Sequence, residues 1–441
     1  MMRKTLALVL VAGCANAGTS TPSDDEDAAL EVGSETGADA PTDAPRTDTG
    51  VSPTDTGVPP TDTGVPPTDT GVPPTDTGFD APPPLPGVAF PFPQGRPSAW
   101  CTYPTYLASD VKAFYDTWKS KLVTASGAGG FRRVQRIEDG GDTVSEGIAY
   151  GMLAAVYMND QDLFDDLFRY SQKYLDSHGF MHWKISPDGS SAWGTGGATD
   201  ADEDIAWALV MASKQWGGSG KVGTPYLDLA KAQIDRIWTW EVDHTKGDVL
   251  KGGDQWTEDR TNPSYMAPSY YRVFGKITGK TSDWNKVVES SYKVLAASAN
   301  PTTGLVPDWC SMAGSPYGDA YYYDAARTPF RVGLDLCHFG EPRAKALLDK
   351  LSAFFAKEGA AAIRDGYKIS GAKTGTNESL VFTAPAVVGA MGGGAHKTFV
   401  NDGYGRVVAL GKAPDFRYYA GSWGMLGMLA MSGNFLDYTA Y

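Results

Sequence analysis

From about Tyr106 onward, apolar residues recur every three or four positions, with loops rich in Gly, Pro and Asn between them. That spacing is the period of an amphipathic or buried helix rather than of a strand. It predicts helices over Asp110 to Leu122, Val144 to Tyr157, Asp162 to Leu175, Asp202 to Trp216, Tyr226 to Trp240 and Pro268 to Ile277. It continues over Asp283 to Ala296, Ala326 to Leu336, Pro342 to Phe355, Leu380 to Ala390, Thr398 to Leu410 and Ser422 to Met431. Little alternating pattern lies between these twelve segments, so the fold class is all-α. Twelve helices at steady spacing suit six helical hairpins closed into an (α/α)6 barrel. A repeat solenoid would give a similar number, but the hairpins show no self-similarity.

The pattern stops toward the N-terminus. Residues 1–83 are dominated by Thr, Pro, Asp, Gly and Ala and contain almost no aromatics, so they cannot offset the entropy of ordering. They divide into a leader over 1–17 and an acidic linker over 18–83, expected to be disordered, ahead of a folded domain over 84–441. Arg3 and Lys4 precede the apolar run Leu6 to Ala12 and then Gly13-Cys14, the parts of a secretory signal peptide. The run is too short to span a bilayer. Val11-Ala12-Gly13-Cys14 also resembles a bacterial lipoprotein cleavage site, in which Cys14 would be lipidated. Ordinary cleavage after Ala17 is the alternative. The chain is thus expected to be exported, either as an outer-membrane or cell-surface lipoprotein or freely secreted. In the linker, Val51 to Gly57 is followed by three copies of Val-Pro-Pro-Thr-Asp-Thr-Gly ending at Gly78. Proline pairs every seven residues exclude a helix and favour an extended spacer, whose threonines could carry sugars.

Composition removes one apparent clue. The formal charge is −14, but residues 1–83 hold 14 acids against 3 bases and so account for −11, leaving −3 on the folded part. A domain so nearly neutral has no field to steer a polyanion, and a neutral substrate fits better than nucleic acid. Besides Cys14 there are Cys101, Cys310 and Cys337. Export permits a disulfide, and Cys310–Cys337 is the pairing expected. Their spacing matches no zinc pattern, and none sits in the context of a catalytic nucleophile. No metal or cofactor is expected.

Candidate chemistry lies in carboxylates near helix ends, in Gly-rich or aromatic surroundings. Glu146 opens an apolar helix in Thr143-Val-Ser-Glu146-Gly-Ile-Ala-Tyr150-Gly. Thr-x-x-Glu is also a capping box, which would give Glu146 a purely structural role. Gly147 and Gly151 add nothing to a cap but allow close approach of another segment or a ligand. Asp200, Asp202, Glu203 and Asp204 crowd the start of another helix, with Thr199 as its cap. One or two acids there satisfy the helix dipole; four repel one another, so some have another task, binding sugar hydroxyls or a cation. Calcium would be the rival ligand, but no spaced EF-hand loop is present. Asp324, in Tyr321-Tyr-Tyr-Asp324-Ala-Ala-Arg327-Thr-Pro-Phe330, either caps the next helix and pairs with Arg327 or serves as a base holding water. Trp183, Trp193, Trp256, Tyr265, Trp309 and Tyr321 to Tyr323 fall at loop–helix junctions. Such rings either fill a large core or stack on sugar faces at the mouth of a cleft.

Together these residues resemble glycoside hydrolase family 8. Ala198 to Trp216 fits that family's signature along its length, and Val-Ser-Glu146-Gly-x-x-Tyr150-Gly resembles its general-acid motif. Asn262-Pro-Ser-Tyr265-Met-Ala-Pro-Ser-Tyr270-Tyr and Tyr323-Asp324-Ala-Ala-Arg327-Thr-Pro follow in the family's order. The resemblance runs from about Trp100 to the C-terminus. It implies an (α/α)6 barrel that hydrolyses β-1,4 linkages with inversion. Glu146 would be the general acid and Asp324 the general base. Asp200, or less well Asp202, would hold and distort the sugar, and Tyr265 would hold the attacking water. Tyr150, Arg327 and Trp193 would line the substrate site. Asp at the Tyr-Asp-Ala-x-Arg position resembles the cellulase and xylanase branch rather than the chitosanases. Phe330 departs from the expected Trp, a change that should affect packing only.

The reading is a monomeric endo-β-1,4-glucanase acting on a β-1,4-linked polysaccharide or oligosaccharide, with an endo-β-1,4-xylanase second. A catalytically silent surface glycan-binding protein is the rival from another class, disfavoured because all three carboxylates are present. A polysaccharide lyase on a similar barrel would need a more basic cleft and a Tyr, His or Lys base.

Overall fold

The computed structural model describes residues 87–392 and 395–441. The leader, Cys14 and the repeats lie outside the described residues. Twelve α-helices are present among the described residues: α1 (Ala108–Leu122), α2 (Ser145–Tyr157), α3 (Gln161–Ser171), α4 (Thr199–Gln215), α5 (Tyr226–Arg236), α6 (Pro268–Thr278), α7 (Thr281–Ser298), α8 (Thr328–Phe339), α9 (Pro342–Glu358), α10 (Leu380–Ala390), α11 (Lys397–Leu410) and α12 (Tyr418–Met431). Strands are confined to antiparallel pieces of two or three residues in the loops.

The even-numbered helices form an inner ring. Each packs against the next, and α12 returns to α2, which closes the (α/α)6 barrel. The odd-numbered helices lie outside, each against an inner neighbour. Side-chain pattern explains the division. Outer helix α3 buries Leu163, Phe164, Leu167 and Phe168 along one stripe, and its first turn is capped by Asp160 accepting from the Leu163 N–H at 3.2 Å. Inner helices are buried nearly all round: every residue of α10 is buried, and in α2 every residue except Glu146. Glycines let these helices crowd together. A Cβ on Gly151 would fall 2.6 Å from Leu167, and one on Gly427 would fall 2.7 Å from Ala384. Between α4 and α6, Trp207 stacks on Tyr270 with centroids 4.2 Å apart.

Two expectations are corrected. The disulfide joins Cys101 to Cys337, and Cys310 is a free, buried thiol. Cys337 lies in α8, while Cys101 sits on an N-terminal strap bridged to Gly392, so the bond staples the strap to the barrel. Cys310 is instead pinned in a loop, bridged to Thr261 and Pro316. The segment from Tyr226 to Trp240 is not one regular helix either: after Arg236 it widens into a π turn, Ile237–Glu241. Phe330 fills its place edge-on against Trp423 and Phe435, at 5.3 and 5.4 Å.

Candidate active site

The inner helices carry the acidic residues at their N-terminal ends, where unpaired N–H groups and the helix dipole favour negative charge. Glu146 stands in the first turn of α2 and Asp200 in the first turn of α4. Asp324 precedes a 3-10 turn, Ala325–Arg327, that leads into α8. One buried guanidinium joins all three. Arg327 Nη1 donates to Glu146 Oε1 at 2.8 Å and to Asp200 Oδ2 at 2.5 Å, and Nη2 donates to Asp324 Oδ1 at 2.8 Å. Its Nε donates to Ser264 Oγ at 3.0 Å, so every side of the fork is used.

None of the local capping readings holds. Thr143 Oγ1 donates to the Val134 carbonyl and accepts from Arg133, and α2 has no side-chain cap. Glu146 is left for Arg327 and for Tyr150, whose hydroxyl donates to Oε1 at 3.0 Å. Neither Thr199 nor Asp324 provides a side-chain cap.

Burial is the largest influence on the proton affinities. It raises Glu146 well above the ordinary carboxylate range, and the charge of Asp200 raises it further, against the pull of Arg327. Asp324 is raised by burial and by Asp200, with Arg327 and the Trp309 N–H opposing. Trp309 Nε1 donates to Asp324 Oδ2 at 3.0 Å. That indole stacks on Trp256 at 5.2 Å, and Arg260 lies over it at 4.4 Å. Tyr265 lies under Arg327, 5.2 Å from guanidinium carbon to ring centroid.

Some expected residues are elsewhere. On a helix, positions 200 and 202 point about 200° apart. Asp202 therefore faces away from Arg327: it is fully buried and accepts from Gln233 Nε2 at 3.1 Å. Trp193 stands 58 % exposed on the strand Ala192–Gly194. Glu203 and Asp204 form a second layer, where Arg331 donates to Asp204 at 2.8 Å and Tyr271 donates to Glu203 at 2.9 Å. Reading of the sequence missed Asp308, Tyr418 and Tyr419. Asp308 Oδ1 accepts from the N–H groups of Tyr322 and Ala325, on both sides of Asp324. Tyr418 packs over Gly147, where a Cβ would lie 3.1 Å from its ring. Tyr419 donates to the Tyr323 carbonyl at 3.2 Å. The apolar period of α12 begins only at Ser422, so the sequence pattern does not mark its first turn.

Carboxyls gathered at a ring of helix ends, with Glu146 and Asp324 both raised in proton affinity, can donate and accept protons. The model of the glycosyl hydrolases family 8 matches residues 91–433. The chain belongs to glycoside hydrolase family 8. It is 41% identical to Endoglucanase A of Acetivibrio thermocellus over 354 residues, 78% of this chain and 73% of the relative. A reducing end xylose-releasing exo-oligoxylanase of Halalkalibacterium halodurans is 29% identical, over 67% of this chain and 80% of its own length. Among solved structures, the apo β-1,3-1,4-glucanase of Paenibacillus sp. X4 superposes with a TM-score of 0.72 at 30% identity, covering 78% of this chain and 98% of that one. This family 8 chain is accordingly a glycoside hydrolase.

Proposed function

We propose that this hydrolase is an exported endo-β-1,4-glucanase that inverts the anomeric carbon, with Glu146 as general acid and Asp324 as general base. The observation that carries the reading is the Arg327 guanidinium held between the two carboxyls. Two bonds of 2.8 Å across one guanidinium limit the bonded oxygens to about 8 Å apart, a ceiling that admits the roughly 6.5–9.5 Å of an inverting pair and the roughly 5–5.5 Å of a retaining one. Inversion is therefore taken from the family resemblance.

Glu146, kept protonated by burial and by Asp200, gives its proton to the glycosidic oxygen as the bond breaks. Asp324 takes a proton from a water whose oxygen attacks the anomeric carbon from the opposite face. Tyr265 and the buried Asn262 side chain, close to Asp324, are suited to steady that water. Asp200 is then the clamp on the sugar at the cleavage point, and Trp309 with Trp256 offers stacked faces for neighbouring units. Arg327 holds the carboxyls in register while their protons move.

The substrate class follows the relatives named endoglucanases, with the oligoxylanase supporting xylan as the second reading. Export rests on the leader and the Cys14 motif; no helix among the described residues is long and apolar enough to cross a membrane. Mass spectrometry of the mature N-terminus separates a lipidated Cys14 from a free Gly18.

The test is reducing-sugar release from carboxymethylcellulose, lichenan, xylan and chitosan by wild type, Glu146→Gln and Asp324→Asn. Wild-type release from the first two and near-silence of both variants is expected. Equal release by all three proteins would overturn the roles, xylan preference would move the substrate, and no release at all would favour the glycan-binding alternative.

A further inference from the structure

A second cluster of ionisable groups lies behind α4, on the side away from Arg327. Asp176 and His178 come from the loop after α3, and Asp254 from the loop before α6; their donor atoms all lie within 4.8 Å of one another. The Asp254 side chain is fully buried, and its Oδ2 is 2.5 Å from His178 Nδ1. Asp176 Oδ1 accepts from the N–H groups of His178 and Phe180, while its buried Oδ2 has no hydrogen-bond donor.

Adjoining this group are two further acids that are not part of it. Asp202 and Glu241 are both fully buried. The two carboxyls lie against each other and hydrogen-bond, and the π turn Ile237–Glu241 is what brings Glu241 there. After burial, the strongest influences raising Glu241 are Asp202 and Asp254, and Asp254 and Asp200 act on Asp202 in the same sense. A proton shared by Asp202 and Glu241 neutralises that pair, which leaves Asp176 Oδ2 as the buried carboxylate oxygen that a cation would satisfy.

We infer that Asp176, His178 and Asp254 bind a divalent first-row transition ion such as Zn²⁺ or Mn²⁺. One imidazole nitrogen among carboxylate oxygens suits such an ion better than Ca²⁺, which takes oxygen ligands. His178 is one-quarter exposed, so water can reach the site and complete the coordination.

The consequence reaches the catalytic end of the barrel. Asp254 Oδ1 accepts from Gly197 N–H at 2.8 Å, just ahead of the α4 N-terminus that carries Asp200. The ion would therefore fix two loops and the start of α4 together. It is a structural site, separate from proton transfer at Glu146 and Asp324.

Trp240 stacks on His178 with centroids 3.8 Å apart and serves as a reporter. Full-length protein is stripped with chelator, dialysed, and titrated with Zn²⁺, Mn²⁺ and Ca²⁺ by calorimetry, thermal unfolding and tryptophan fluorescence. One ion of Zn²⁺ or Mn²⁺ per chain is expected, with a raised Tm and a fluorescence change that Trp240→Phe removes. Asp176→Asn and His178→Gln should weaken binding at least tenfold. His178→Gln decides if Asp176→Asn does not fold, because His178 lies at the edge of the cluster. No saturable binding, tighter binding of Ca²⁺ than of Zn²⁺ and Mn²⁺, or affinity unchanged in folded His178→Gln would overturn the site.

Discussion

Replacing Arg327 by Met removes the positive charge shared by Glu146, Asp200 and Asp324 while keeping much of the side-chain volume. Arg327 is 1% exposed, and its carboxylate partners are 26%, 2% and 23% exposed, so solvent can replace little of the lost pairing. Removing one member of a buried ion pair costs about 3–5 kcal/mol, and this range is the expectation for Arg327→Met near neutral pH. The loss must also depend on pH. Burial already raises Glu146 and Asp324, and without the guanidinium both rise further. A folded state that binds protons more tightly than the unfolded chain is favoured at low pH and loses that advantage as pH rises through the raised values. The gap between variant and wild type should therefore widen from about pH 4.5 to about pH 7.5, as the carboxyls would otherwise ionise. Arg327→Lys keeps one charge but cannot bridge three carboxyls, so it should fall between the two. Urea unfolding followed by circular dichroism at both pH values reads the effect. A deficit in Arg327→Met below about 1 kcal/mol at neutral pH, or one that does not change with pH, would refute the reasoning.

Further outcomes follow from the same contacts. Activity should require ionised Asp324 and protonated Glu146, giving a bell-shaped kcat/KM profile whose acid limb lies above the ordinary aspartate range; a flat profile across the acid range would contradict this. Glu146→Gln should be more stable than wild type at neutral pH, because it removes a buried acid whose folded state favours the proton, and the gain should vanish on acidification. Cys101→Ser with Cys337→Ser opens a loop spanning 236 residues and should lower stability by up to about 5 kcal/mol, measured by thermal unfolding without reductant. Gly151→Val should unfold the barrel at a lower temperature, because even a Cβ there would lie 2.6 Å from Leu167.

The helices were legible because most of this barrel obeys one period. Leu380 to Ala390 was read with both of its ends in place, and Ser145–Tyr157 within one residue. Errors fall where local chemistry departs from periodicity. The polar first turn of α4 and the tyrosines opening α12 interrupt the apolar pattern, so both helices were read as starting too late. The π turn at Ile237–Glu241 keeps an apolar spacing that sequence cannot distinguish from an α-helix. Glu146, Asp200, Asp324 and Arg327 could be named as candidates from their motifs. That one arginine binds all three acids could not, because Arg327 lies 181 residues from Glu146 and 127 from Asp200. The same limit concealed the Cys101–Cys337 bond, whose partners lie 236 residues apart. Asp202 shows the opposite case: helical geometry alone would have turned it away from Asp200 once the helix start was placed correctly.

The most direct test of Glu146 as acid and Asp324 as base across a bound glycan is the anomer first released. Proton NMR of lichenan or a soluble cello-oligosaccharide, recorded in the first minutes before mutarotation, should show the α-anomer appearing first at the new reducing end. The β-anomer appearing first would mean that a carboxylate attacks the sugar directly, and the assignment of Asp324 as a water-activating base would fall.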